Sequence, residues 1–281
     1  MIKTLAIFEN YCALNSKEVL AAIRQSTAKF GIQVLSNSMD ADALLIWSVL
    51  WNGRMLPNKS LYDHYRQQGK PVIVIDVGAL KRNVTWKVSV NNVNALGQYG
   101  HLENLDFDRP KKLGLQLSSN KSNGEIIVMG QHAKSLAFMP WICQENWFNH
   151  TVEILRQHTD RQIVLRPHPR SRINPHLLTQ SARLQIPKQI AGTYDDFDAS
   201  FNYHLVVNYN SGPGIQAAIH GANVFVDVTS LAAPIGIKVN QLETPPSTDR
   251  ERWLIEIAHT EYTVPELANG TWLTRLEKWI S

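Results

Sequence analysis

Residues 206–227 read VVNYNSGPGIQAAIHGANVFVD. An apolar run ends at Asn208, a polar turn through Asn210-Ser211-Gly212-Pro213-Gly214 follows, then a helical pattern to Gly221 and a second apolar run. Glycines without Cβ atoms let a ligand approach the backbone closely. Pro213 in the first helical turn gives up no needed N–H. The helix N-terminus would offer unpaired amides and a positive dipole end, which suits a phosphate. The alternative is a tight strand-to-helix turn with Ser211 as N-cap.

The same strand-and-helix alternation extends along the chain. Strand-like runs lie at 4–9, 43–48, 71–76, 125–131, 162–169, 204–210 and 223–228. Helical patterns lie at 16–31, opened by Ser16 and stopped by Gly31, and at 58–70, 145–159 and 212–221. Runs such as PVIVID (71–76) are continuously apolar, as in a parallel sheet buried on both faces. The expected class is α/β. Residues 110–124, PKKLGLQLSSNKSNG, have the composition of a linker. The predicted domains are therefore 1–120 and 121–265, with a last helical segment, 266–281, packing back on the first. The tail from Asp249 onward reads as mostly helical, broken at Asn269-Gly270.

Open parallel sheets bind ligands beyond the carboxyl ends of their strands. There VLRPHPR (164–170) places Arg166, His168 and Arg170 on a proline-stiffened exit. Arginine supplies a bidentate fork for phosphate, and histidine a donor. MGQHAKS (129–135) adds Gln131, His132, Lys134 and Ser135, with Lys134 able to neutralise a leaving diphosphate. Each could equally be a solvated loop residue.

Together RPHPR (166–170), NYNSGPGIQAAIHGANVFV (208–226) and RWLIEIAHTEYTVPELANG (252–270) resemble the donor-binding domain of GT-B glycosyltransferases. Among these they are most similar to capsule and Kdo-type transferases and related phage-encoded enzymes. The resemblance implies two Rossmann-like domains facing a central cleft, and a nucleotide-sugar co-substrate, UDP-linked in our expectation. It implies no metal and no other cofactor. By it, Arg166, His168 and Arg170, with His132 and Lys134, would face the diphosphate. Ser211, Gly212 and Gly214 would do so from the helix. Many relatives carry a ribose-binding Glu where this chain has Gln216, a neutral group that can still hydrogen-bond a hydroxyl.

The N-terminal half should hold the acceptor. Asp76 ends the 71–76 strand and is the candidate general base, with Glu9 as competitor. A capping role for Asp76 is the structural alternative. WSVLWNGR (47–54) and ALKRNVTWKVSVNN (79–92) interleave Trp47, Trp51, Arg54, Lys81, Arg82, Trp86 and Lys87. They read as a basic, aromatic acceptor rim, or as a strand pair with Trp86 buried. The patterns GKPVIVID and WKVSVNN look like phage-encoded proteins. The expected acceptor is thus the 5-hydroxymethyl group of a modified pyrimidine in double-stranded phage DNA, with the base flipped out. A capsular or lipopolysaccharide acceptor is the alternative, followed by a nucleotide-sugar epimerase and a non-catalytic nucleic-acid binder.

Bulk properties set limits. The chain has 281 residues, 44% of them hydrophobic, a formal charge of +4 and a pI near 9.0, which permits a polyanionic partner without requiring one. No apolar run approaches the roughly 20 residues of a membrane span, and the N-terminus lacks a signal-peptide pattern. A cytoplasmic setting is expected, that of the host if the protein is phage-encoded. Cys12 and Cys143 lack metal-ligand spacing and read as free thiols. DDFD (195–198) does not follow a strand as a metal-binding acidic motif would.

Overall fold

The computed structural model describes residues 2–121, 123–139, 141 and 143–281. Ser122 of the expected linker lies outside the described residues. The chain divides into two compact units: unit 1 runs to Leu113 and resumes at Ile255–Ser281, and unit 2 is Gly114–Leu254. The sequence placed these boundaries later, at 120 and 265.

Unit 1 opens with β1 (Thr4–Ile7), α1 (Lys17–Lys29), β2 (Gln33–Ser36), β3 (Ala43–Trp47), α2 (Asn58–Gln67), β4 (Val72–Val77), β5 (Thr85–Val90) and the short α3 (Arg109–Lys112). Unit 2 contains β6 (Glu125–Met129), α4 (Gln144–Arg156), β7 (Ile163–Arg166), β8 (Arg183–Leu184), β9 (Gln189–Ile190), β10 (Thr193–Tyr194), β11 (Tyr203–Asn208), α5 (Gly212–Ile219) and β12 (Asn223–Val226). Helix α6 (Arg250–Ile257) spans the division, and β13 (Glu261–Thr263), α7 (Val264–Asn269) and α8 (Thr271–Leu276) complete unit 1.

The sheet of unit 2 has the order β12-β11-β6-β7-β8, parallel throughout. The carboxyl ends of β11, β6 and β7 are therefore neighbours. The sheet of unit 1 has the order β13-β5-β4-β3-β1-β2. Strands β2, β1, β3 and β4 are parallel, whereas β5 runs antiparallel to both β4 and β13. The predicted parallel runs at 43–48, 71–76 and 125–131 are strands because their residues are buried on both faces. The short edge strand β2 has no fully buried residue and gave no apolar signal. Strand β13 interrupts the tail expected to be helical.

The returning segment is held by buried charge. Glu261 is fully buried, and its carboxylate accepts from Ala79 N (2.6 Å), Leu80 N (3.1 Å) and Thr85 Oγ1 (2.6 Å). Arg109, also buried, donates to Ala258 O (2.5 Å) and Glu261 O (2.6 Å) and pairs with Glu266. Glu266 in turn closes the capping box of α7 with Thr263. In unit 2, Arg250 donates to Ser118 O (3.1 Å) and Ile219 O (3.3 Å), joining the incoming chain to the end of α5. No helix among the described residues is long and apolar enough to cross a membrane.

Removing the Glu261 carboxylate strands three buried donors. Glu261→Ala should lower the stability of unit 1 by about 3–5 kcal/mol, the cost of breaking a buried charged network, whereas Glu277→Ala on the surface should stay within about 0.5 kcal/mol. Urea unfolding of both variants checks this. Acid should act in the same place. His259 is buried, and burial pulls its imidazole from 6.5 to about 4. The unfolded chain then binds a proton that the folded chain refuses, so stability should fall as pH drops from about 6.5 toward about 4. His259→Gln should flatten that dependence.

Candidate donor and acceptor sites

At the carboxyl end of the unit 2 sheet, neutral amides lock the strand exits together. Gln131 Nε2 donates to Asn210 Oδ1 (2.9 Å), and Asn210 Nδ2 donates to Ala137 O (2.7 Å) and Thr229 Oγ1 (2.8 Å). Thr229 Oγ1 donates to Asp227 Oδ1 (2.6 Å) beyond β12. Asn208, the last residue of β11, receives Ser211 N on Oδ1 (2.8 Å) and donates through Nδ2 to Ser211 Oγ (2.9 Å). Ser211 occupies the N-cap position of α5, as the tight-turn alternative had it, but its side chain makes no cap bond to the helix. Gly214 packs 3.3 Å, at the position of an added Cβ, from Asn208 Oδ1, which brings the start of α5 hard against the strand. Gln216 is half-buried on the next turn.

The exits of β6 and β7 are built alike. His132 Nδ1 accepts from Lys134 N (3.1 Å), and His168 Nδ1 accepts from Arg170 N (3.1 Å). A ring nitrogen that accepts carries no proton, so both neutral rings bear theirs on Nε2. The rings meet edge to face, 5.2 Å between centroids. Burial pulls both imidazoles down, His168 to about 3, with the neighbouring ring and Arg170 adding to the shift. His132 is buried, and its Nε2 has no partner among the described residues. Lys134 and Arg170 are exposed beside them. Gly130 permits this approach: a Cβ there would lie 2.9 Å from His168 N and collide with Gln144 Oε1, which receives His168 N (2.7 Å).

Arg166 does not stand open with this group. It is buried and bonded to Asp195 (3.0 Å). Among the described residues no group of three or more His, Cys, Asp and Glu could hold a metal ion. Asp198 of the same acidic run accepts from Ser200 Oγ (2.6 Å).

At the carboxyl end of the unit 1 sheet, Asp76 is half-buried. Its Oδ2 accepts from Ser48 Oγ (3.1 Å) and its Oδ1 from Val77 N (2.8 Å). Burial raises its carboxyl above the ordinary range, against the opposing effects of Lys87 and these two bonds. Ser48 holds a left-handed backbone (φ 61°) while donating its N–H to Ile75 O (2.7 Å). Such strain in a non-glycine residue costs of order 1–2 kcal/mol, and here it aims the hydroxyl at Asp76. The capping alternative is met only by the bond to Val77 N.

The expected rim is corrected. Trp47 and Trp86 are buried, 5.4 Å apart edge to face, inside the core formed with Leu45, Ile75 and Val88. Lys87 is buried opposite Asp76 on β5. Their strand is interior to the sheet, so an alternation that looked like a surface pattern lies inside. Trp51, half-buried against Tyr62 (5.6 Å), and Arg54, Lys81 and Arg82 remain at or near the surface. Glu9 lies past the end of β1 in a short turn, committed to Arg24. Gln144 and Ser48 were missed, and Gln131, Asn208 and Asn210 were noted at the turns without an organising role; apart from Ser48, their signal was a polar residue at or just past the end of an apolar run.

No protein-family profile and no curated protein matches this sequence. Among solved structures, the fold is similar to KpsC β-Kdo 2,7 transferase of Thermosulfurimonas dismutans, with a TM-score of 0.54, 14% identity, and 98% of this chain and 99% of that chain covered. It is also similar to KpsC β-Kdo 2,4 transferase of the same organism, with a TM-score of 0.51, 10% identity, and 96% and 98% covered. The likeness establishes a GT-B-type α/β fold.

The site geometry predicts that at about pH 5 His168 stays neutral and protonated on Nε2, whereas an ordinary histidine would be charged, and that His132 takes up its proton only below the ordinary histidine range. Long-range nitrogen–proton NMR reads this directly; a charged His168 ring at that pH would contradict it.

Proposed function

We propose that the chain is a glycosyltransferase that moves a sugar from a nucleotide-sugar donor, held by unit 2, to an acceptor hydroxyl deprotonated by Asp76 of unit 1. The observation that carries this is the pair of neutral imidazoles with their protons on Nε2, one of these nitrogens buried without a partner among the described residues, at the sheet end that also carries Lys134, Arg170 and the start of α5. Neutral donors, nearby cations and a helix N-terminus suit an oxyanion whose charge grows as a bond breaks. The acceptor oxygen bonds to the anomeric carbon while the bond from that carbon to the phosphate oxygen breaks. Its electron pair goes to the phosphate, where His132 and His168 donate. The acceptor proton passes to Asp76 Oδ2 or Oδ1.

Gln216, neutral and half-buried, is suited to a sugar or ribose hydroxyl. The donor is UDP-linked in this proposal, and no metal takes part. For the acceptor we favour a capsule-type glycan. Burial of Trp47, Trp86 and Lys87 removes the centre of the surface that a DNA acceptor would need. A hydroxymethylated pyrimidine in DNA would have to rely on Trp51, Arg54, Lys81 and Arg82.

The test is transfer from a panel of nucleotide sugars to capsular oligosaccharides and, separately, to duplex DNA containing 5-hydroxymethylpyrimidines, read by mass. An adduct on the oligosaccharide supports the proposal, an adduct on DNA transfers it to the other acceptor, and no turnover of any donor refutes it. Asp76→Asn should cut turnover by about 10²–10⁴-fold while leaving nucleotide binding intact. The base must be ionised, so activity should fall as pH drops through the raised Asp76 value. The Ser48 bond lowers that value, so Ser48→Ala should move the acid limb of kcat/KM to higher pH.

A further inference from the structure

Arg166 occupies the place of an anion-binding residue, and its fork is already filled. Asn208, Met129 and Arg166 are register partners in one row across β11, β6 and β7. Their side chains therefore leave the same face of the sheet. Gly214 of α5 packs against Asn208 on that face. The start of α5 and Arg166 thus share that face, with Asn208 and Arg166 two strand spacings or about 10 Å apart along the row. Asp195 enters the guanidinium through Oδ2 (3.0 Å) and its backbone O (3.5 Å). Its Oδ1 is buried without a hydrogen-bond partner among the described residues. A carboxylate held through one oxygen, with the other dry and unpaired, is a poor match for a bidentate fork. A phosphate brings more acceptor oxygens to the same geometry.

The segment that delivers Asp195 is weakly held. Strands β9 and β10 have two residues each and, among the described residues, pair only with one another. Their loop, Ala191-Gly192, has positive φ at both positions (40° and 84°), the geometry of a type I′ turn, which favours asparagine or glycine over alanine. An isolated two-stranded hairpin is marginal in water. Its base is closed by Asp195 N donating to Lys188 O (2.8 Å), and the Asp195–Arg166 pair ties it to the sheet.

We infer that Asp195 is an internal substitute for a ligand oxyanion: Arg166 is a further phosphate-binding residue of unit 2, and a nucleotide phosphate displaces Asp195, with its hairpin, from the guanidinium. The inference rests on the donor site proposed above. It makes Asp195 a built-in competitor whose removal improves binding, the reverse of what a purely structural ion pair would do.

Calorimetric titration with inorganic pyrophosphate and with uridine diphosphate tests it, using the full chain and its Asp195→Asn, Arg166→Gln, double and His168→Gln variants. Asp195→Asn should bind several-fold tighter than the wild type. Arg166→Gln should bind more weakly, and adding Asp195→Asn to it should change nothing. Hydrogen exchange on the unaltered protein gives a second measurement: amides of 189–194 should exchange faster with pyrophosphate bound. Equal or weaker binding by Asp195→Asn, with hairpin exchange unchanged or slowed, overturns the inference. If His168→Gln still abolishes binding in that case, the donor site stands and only the displacement fails. If His168→Gln binds like the wild type while Asp195→Asn binds tighter, the displacement stands and the donor site as drawn fails. Binding by no form refutes both.

Discussion

A carboxylate shut away from water organises unit 1. Glu261 lies opposite Lys87, and Lys87 lies opposite Asp76, so β13, β5 and β4 carry an acid, a base and an acid in one row. Cross-strand partners project on the same side of a sheet. Burying such groups is costly unless each finds opposite charge or donors. Glu261 finds two backbone amides and a threonine hydroxyl, Lys87 stands between the two acids, and Asp76 finds Ser48 and the Val77 amide. The candidate base is thereby tied to the strand that closes the sheet. A disturbance at β13 should reach Asp76 through Lys87.

At the exits of β11 and β6, unit 2 meets the corresponding need mainly with neutral amides. Its strand exits are joined by Asn208, Asn210 and Gln131, whose amides donate and accept together and leave little unsatisfied. Neutral groups keep the surrounding potential free for an anion, where buried carboxylates would oppose one. The histidines obey the same logic. Each is held uncharged by burial and by a backbone N–H on Nδ1, which fixes where its remaining proton points. Exposed charge beside the two rings is carried by Lys134 and Arg170.

Local pattern made the architecture legible and left long-range partners hidden. The turn at 208–214 and the RPHPR exit fall where the chain's own periodicity put them, at the carboxyl ends of β11 and β7 on either side of β6, because apolar continuity and glycine placement are local signals. The pairing of Arg166 was hidden because its partner, Asp195, lies 29 residues on. Lys87 read as a surface residue, and Trp86 as either a rim residue or a buried one, because TWKVSV mixes polar and aromatic types. The strand is interior only because β13, from the far end of the chain, adds to it. Glu9 was likewise claimed by Arg24. Ser48 had no sequence signal, since a strained serine is defined by its dihedral angle and not by its neighbours.

The return of Ile255–Ser281 to unit 1 has a consequence for biosynthesis. On the ribosome, the residues up to Leu113 emerge first, yet β5 stays an open edge until Glu261–Thr263 are made. At about 5–20 residues per second, that interval lasts on the order of ten seconds. During it the pocket for Glu261 lacks its carboxylate, and Arg109 lacks Glu266. Unit 2, continuous in sequence, can condense meanwhile. The unit that begins before unit 2 is thus completed only after it, and its unpaired edge is the surface a chaperone would have to guard.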